Sequence, residues 1–407
     1  MNGPTQSSVT ELLETLKSKD QYRQLPNIKH QNRCIVLNDS SLLNISSNDY
    51  LGIGSDTKLQ SQFLSYLQEM PESLLPKMGS TSSRLLTGNH EQLPLLEAEL
   101  LNWYRLALSE QQKVTSTKSV LVMNSGYHAN IGILPALAKL PLNTLILTDT
   151  LIHASLIDGV RLISSKNSKH CTYQRYRHND LTRLASLIEQ ADDSIERIII
   201  VTESIFSMDG DRADLKALVA LKAADSRIEL YVDEAHAVGV LGRNGLGLAE
   251  ETQTLADIDY VVGTFGKAFA SMGAYIICDE QIKQWLINQM RSFIFSTALP
   301  PITQCWTRFV LAEMPSLHYL RSHLSELSIR VSNAIDADSS DDYQSPIIPY
   351  ILGDNASAVK KAQALQKAGF YALPIRPPTV PINTARIRIV MNAKLTHDDC
   401  THLIKQL

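Results

Sequence analysis

Six short apolar runs, at 120–123, 145–147, 198–201, 230–232, 260–262 and 274–277, alternate with helix-like segments from about residue 48 onward. That alternation predicts an α/β fold: a mostly parallel sheet covered by helices on both faces. Polar, turn-forming residues follow nearly every run: Asn124-Ser125-Gly126, Thr148-Asp149, Thr202-Glu203-Ser204, Asp233-Glu234 and Gly263-Thr264. Ligands of open α/β sheets bind outside these carboxyl ends, so the chemistry is sought there.

The sheet-forming region does not account for all 407 residues. An amphipathic start at 9–16 leads through Pro26 to two short runs, 34–37 and 42–45, that resemble a hairpin. We expect an N-terminal arm and hairpin at 1–47, a large α/β domain at 48–295 and a smaller C-terminal α+β domain at 296–407. After 296–301 the pattern changes to long helical segments, a polar loop over 336–342 and short strands at 347–348 and 386–389.

Composition narrows the partners. Thirty-eight basic and 42 acidic residues, scattered for a net charge of −4, offer no basic face for nucleic acid or anionic lipid. The five cysteines lie far apart without a C-x-x-C pair, so reduced thiols and no metal are expected. Charges run through the first thirty residues, and Pro135, Lys139, Pro141 and Asn143 interrupt the longest apolar stretch. The expectation is a cytoplasmic protein acting on small molecules, without a signal peptide or membrane span.

Lys267 closes Gly263-Thr264-Phe265-Gly266-Lys267, thirty-four positions after Asp233 in Tyr231-Val232-Asp233-Glu234-Ala235-His236. A P-loop would require glycine where Val261 stands and Ser or Thr where Ala268 stands. The set suits a lysine Schiff base to pyridoxal 5'-phosphate. That cofactor needs an amine for its aldehyde, a carboxylate facing its ring nitrogen, a donor near its phenolic oxygen and amides or hydroxyls around its phosphate. A carboxylate ~4 Å from the ring nitrogen, at an effective dielectric of ~20, gives a gross attraction of ~4 kcal/mol. This is about three pKa units in favour of the protonated ring.

His236, three positions after Asp233, could reach the phenolic oxygen. Gly126 and Tyr127 follow a strand and open a helical segment, where backbone amides bind phosphate, and Thr264 and Ser271 offer hydroxyls. His153, in Ile152-His153-Ala154-Ser155, could stack over a flat ring or merely open a helix. Arg386 and Arg388 alternate onto one strand face. One of them could clamp a carboxylate, or the pair could form a solvated face. The turn Arg376-Pro377-Pro378-Thr379 reads as a shaped binding wall.

Together these stretches, with 47–51, 125–130, 202–210 and 375–381, resemble the α-oxoamine synthase family of fold-type I pyridoxal phosphate enzymes over nearly the whole chain. The resemblance implies an aspartate aminotransferase-like fold and a homodimer with each active site at the subunit interface. It implies Lys267 as the Schiff-base lysine, Asp233 at the ring nitrogen, and His236 and Ser207 at the phenolic oxygen. It further implies His153 stacked on the ring, Gly126, Tyr127 and Thr264 as cofactor contacts, Arg388 on an amino acid carboxylate and Thr379 at the acyl site. The 375–381 motif points to the pimeloyl-using branch, with L-alanine and pimeloyl-CoA or pimeloyl-acyl carrier protein as partners. A glycine-using sibling and a non-catalytic sensor or scaffold of the same fold are the alternatives. The chain departs from the pattern at Tyr127, where phenylalanine is usual, and at Leu93, where the family's H-x-x-L-E motif has histidine and this chain has only nearby His90. Its N-terminal arm carries a single candidate acyl-chain arginine, Arg23.

Overall fold

A seven-stranded sheet forms the centre of the larger of two compact units. Its strands are β1 (Lys118–Met123), β2 (Thr144–Asp149), β3 (Cys171–Tyr176), β4 (Arg197–Glu203), β5 (Ile228–Asp233), β6 (Tyr260–Thr264) and β7 (Ala274–Asp279). They lie in the order β1-β7-β6-β5-β4-β2-β3. β7 runs antiparallel to both neighbours, and the other pairings are parallel. The computed structural model describes residues 4–111, 113, 117–164, 170–336 and 345–407. All but one residue of the polar run expected at 336–342 lie outside these.

The six apolar runs become β1, β2, β4, β5, β6 and β7, each buried almost end to end. Continuous burial explains their lack of polar alternation, since helices cover both faces. The polar strand β3 was not among the expected elements. It forms the sheet edge with four of its six residues exposed, and therefore has no apolar run to betray it.

The larger unit comprises 49–207 and 211–323. It extends past the expected boundary at 295 because the helix Pro301–Glu313 packs on the helix Gln92–Glu110. There Arg308 pairs with Glu99 at 2.6 Å. The smaller unit combines 1–48, 208–210 and 324–407, so the N-terminal arm is not a separate body. The expected hairpin is present as Cys34–Leu37 paired with Ser40–Asn44, turning through Asn38 and Asp39 at φ 48° and 61°. Phe370–Tyr371 adds to it in parallel, and Arg33 forms an ion pair with Asp399. A three-stranded sheet in the same unit carries Arg386 and Arg388 on Ala385–Val390.

Candidate active site

The carboxyl ends of the parallel strands meet at a cavity of about 160 Å³. It is lined by Gly126, Tyr127, Asn130, His153, Ser155, Glu203, Asp233, Ala235, His236, Thr264 and Lys267. Sequence positions more than a hundred residues apart converge there because each follows the end of a neighbouring strand.

Asp233 is the last residue of β5 and is almost wholly buried. Its Oδ1 accepts from the Ala235 amide at 2.9 Å, and its Oδ2 accepts from Asn130 Nδ2 at 2.8 Å. The neighbouring Glu234 faces away and accepts from the amides of Leu248 and Ala249. Its partners hold the loop after β5 in place, so Asp233 is aimed by backbone as well as by side chains. His236, three residues on, has its Nδ1 2.5 Å from the hydroxyl of the fully buried Tyr50.

Lys267 stands on the hairpin between β6 and β7. The hairpin is closed by bonds from Phe265 N–H to Gly273 O and from Ser271 N–H to Phe265 O, with Ala270 at φ 45°. Thr264 stabilises the same turn: its hydroxyl donates to Gly273 O at 3.0 Å and accepts from the Gly266 amide at 3.3 Å. Ser271, expected as a supporting hydroxyl, instead meets Thr307 Oγ1 at 2.7 Å. The helix Gly126–Leu137 starts at the cavity with Ser125 as its N-cap, accepting from the His128 amide. Its first-turn amides face the opening with the positive end of the helix. Tyr127 reaches sideways to Asp158, with its hydroxyl at 2.7 Å.

His153 precedes the helix Ala154–Ser164, and its Nδ1 lies 2.7 Å from Ser155 Oγ. Its ring opens onto the cavity, while the protein packed around the rest of it lowers its pKa against opposing charge from Asp233. Ser207 acts at one remove. Its backbone amide donates to the Glu203 carboxyl, as does that of His153. Burial, reinforced by Asp233, raises Glu203 well above the ordinary carboxylate range.

The remaining candidates belong to the smaller unit. Arg388 Nη1 donates to Asn48 Oδ1 at 3.0 Å, and Arg23 Nη2 donates to Thr379 Oγ1 at 2.9 Å. Arg386, weighed with Arg388 as a clamp, binds Asp209 at 2.6 Å and the Met208 carbonyl. Its charge is already used within the fold. Tyr50, Asn130, Ser155 and Glu203 were not expected in this role, although all four stand inside or next to the motifs. One signal was available: Tyr231 and Asp233 alternate onto one face of β5, so any polar group meeting one meets both.

Three observations test whether the cavity suits the cofactor expected from the lysine. A Cβ built on Gly126 would meet only Thr264 within 4 Å, at 3.8 Å, so protein packing does not demand glycine there and a side chain would take up cavity space. Glu203 Oε1 is buried at the wall without a hydrogen-bond partner, and an amine and a carboxylate line one chamber. The residues present fit pyridoxal phosphate: Lys267 for its aldehyde, Asp233 for its ring nitrogen and the helix start for its phosphate.

Fold and cavity together define a pyridoxal 5'-phosphate-dependent transferase of the aminotransferase type. The chain belongs to the aminotransferase class I and II family, whose model matches residues 40–407, and within it to the 8-amino-7-oxononanoate synthases. It is 50% identical over 388 residues to the 8-amino-7-oxononanoate synthase of Haemophilus ducreyi, covering 94% of this chain and 95% of the relative. Among solved structures, serine palmitoyltransferase of Sphingomonas wittichii superposes with a TM-score of 0.81 at 24% identity, covering 98% of this chain and 95% of that one. The 8-amino-7-oxononanoate synthase of Francisella tularensis matches at 0.69 and 23%, over 90% and 96%. At these identities the structural likenesses establish the fold.

Proposed function

We propose that the protein condenses L-alanine with a pimeloyl thioester, releasing carbon dioxide and the free thiol carrier, to give 8-amino-7-oxononanoate for biotin synthesis. The observation that carries this reading is the presence of Lys267 and Asp233 in the lining of one cavity in a chain half identical to a relative of that name. Pyridoxal phosphate, when bound, supplies an aldehyde to hold the amino acid and a ring that takes up electron density from its α-carbon.

The protein's own groups do the rest. Asp233, held by Asn130 and Ala235, would stabilise positive charge on the ring nitrogen. The Lys267 amine, once free, removes and returns the α-proton. His153 would cover the ring, and His236 with Ser207 would serve its phenolic oxygen. Gly126, Tyr127 and Thr264 take cofactor contacts. Arg388 is assigned the alanine carboxylate, and the joined pair Arg23 and Thr379 the acyl chain. CoA and acyl carrier protein are both suitable carriers. The working form is a cytoplasmic homodimer; among the described residues no helix is long and apolar enough to cross a membrane.

The deciding experiment is mass spectrometry of the product formed from alanine or glycine with pimeloyl and shorter thioesters. 8-Amino-7-oxononanoate from alanine and the pimeloyl thioester is expected. Preferred turnover of glycine with a short acyl thioester would transfer the protein to a sibling activity, and no turnover with any pair would remove the enzymatic reading.

A further inference from the structure

Beneath the cavity runs a chain of buried polar groups whose donors and acceptors order one another. The carboxylate of Asp233 only accepts, so the Asn130 atom 2.8 Å from it is the amide nitrogen. The Asn130 oxygen then faces the hydroxyl of Tyr231, which donates at 2.6 Å. The second hydrogen of the same nitrogen goes to Ser155 Oγ at 2.9 Å. Ser155 Oγ, which keeps its own hydrogen to give, lies 2.7 Å from His153 Nδ1. The Ser155 backbone amide also points at Nδ1, at 3.2 Å. A protonated ring nitrogen cannot accept the amide hydrogen, so Nδ1 is bare and the Ser155 hydroxyl donates to it; at 2.7 Å the hydroxyl is the closer of the two donors that hold this state.

We propose that Asn130 and Ser155 are positioning residues: they tie the His153 ring to Asp233 and hold it as the neutral tautomer with its proton on Nε2. His153 then meets whatever fills the cavity as a fixed hydrogen-bond donor and is unsuited to act there as a base. The lowering of its pKa by burial agrees with a neutral ring. Tyr231 anchors the far end. It is fully buried, and its hydroxyl is pushed well above its ordinary pKa by burial and then by Asp233, so it remains a donor. Every bond in the relay therefore points from Tyr231 and Asn130 towards Asp233 on one side and His153 on the other. A buried network satisfied at each member also rigidifies the groups it joins.

The inference deepens the proposed function, since it assigns a state to the residue expected over the ring, but its test does not depend on turnover. Full-length protein loaded with pyridoxal phosphate and labelled with nitrogen-15 histidine is measured by solid-state NMR at pH 7. His153 is assigned by the signals that His153→Gln removes. The expected result is a pyridine-type Nδ1 and a pyrrole-type Nε2. In Ser155→Ala that single state is lost to a mixture of tautomers, and in Ser155→Thr, which keeps the hydroxyl, it is retained. A wild-type ring protonated on Nδ1, or on both nitrogens, overturns the proposal, as does a Ser155→Ala spectrum identical to wild type. If Ser155→Ala does not fold, the wild-type spectrum alone decides whether Nδ1 is bare, and Asn130→Ala is read in its place. A protein inactive towards alanine but showing these spectra would refute the proposed function and leave this inference standing.

Discussion

Glu203 and Asp233 are register partners at the ends of adjacent parallel strands, so two carboxyl groups stand side by side on one buried cavity wall. They are not equivalent. Donors converge on Asp233 from Asn130 and Ala235, whereas burial and the neighbouring charge raise Glu203 well above the ordinary range. Environment alone makes the two carboxyl groups unlike.

Glu203→Gln, which mimics the protonated acid in shape, therefore leaves cofactor affinity and thermal stability close to wild type. Asp233→Asn, equally isosteric but uncharged, costs about 10²–10³-fold in kcat, the scale for removal of one preorganised electrostatic contact. Steady-state kinetics and cofactor titration on both variants check this. A Glu203→Gln enzyme as impaired as Asp233→Asn would show that both groups act as anions.

Arg388→Ala weakens alanine binding by about 2 kcal/mol, roughly thirtyfold, because a charge-assisted contact to a carboxylate is lost. The cofactor remains covalently trapped by borohydride, since Lys267 is untouched. Lys267→Ala gives the reverse result, with cofactor that borohydride no longer fixes to the chain. Reduction followed by intact-mass measurement, beside an alanine titration, separates the two roles. Unchanged alanine affinity in Arg388→Ala would remove that assignment.

His178 is held between Asp149 at 3.0 Å and Asp211 at 2.7 Å, edge-on to Phe206. Burial alone would lower its pKa, but hydrogen bonds and charges from the two aspartates raise it to about 10. A histidine raised above its unfolded value of about 6.5 stabilises the fold fully below that pH and loses the contribution as pH climbs towards 10. The difference in unfolding free energy between wild type and His178→Asn is accordingly largest near pH 6 and shrinks steadily up to pH 10. Denaturant unfolding across that range measures it, and a constant difference would count against the clamp.

Gly247→Ala destabilises by about 1–3 kcal/mol. Gly247 sits at φ +111°, and an added Cβ would lie 2.5 Å from Glu234 Oε2, which receives the amides of Leu248 and Ala249. The strain falls on the loop after β5, so thermal melting shifts downward and cofactor affinity weakens with it. A variant melting with wild type would show that the loop yields freely.

The parallel sheet was legible because its strands are buried on both faces and read as unbroken apolar runs. The same rule hid β3, an edge strand with mostly exposed side chains. That Lys267, Asp233 and His236 would line one cavity could be read because each stands at or just past a strand end with turn chemistry beside it. Asn130 could not. Its role depends on Tyr231, Ser155 and Asp233 arriving at one point, and nothing in 126–137 indicates which strand the helix will cross.

The sequence by itself determined the α/β class, the strand ends where chemistry could occur and the residue types suited to a pyridoxal phosphate, because burial periodicity and turn preference act over a few neighbouring residues. Only the tertiary structure decided that Arg386 is consumed by Asp209, that Ser271 turns to Thr307 and that Glu203 shares a wall with Asp233. Those outcomes depend on strand register and helix placement, which bring distant side chains within hydrogen-bonding distance and set the local dielectric that fixes their charge.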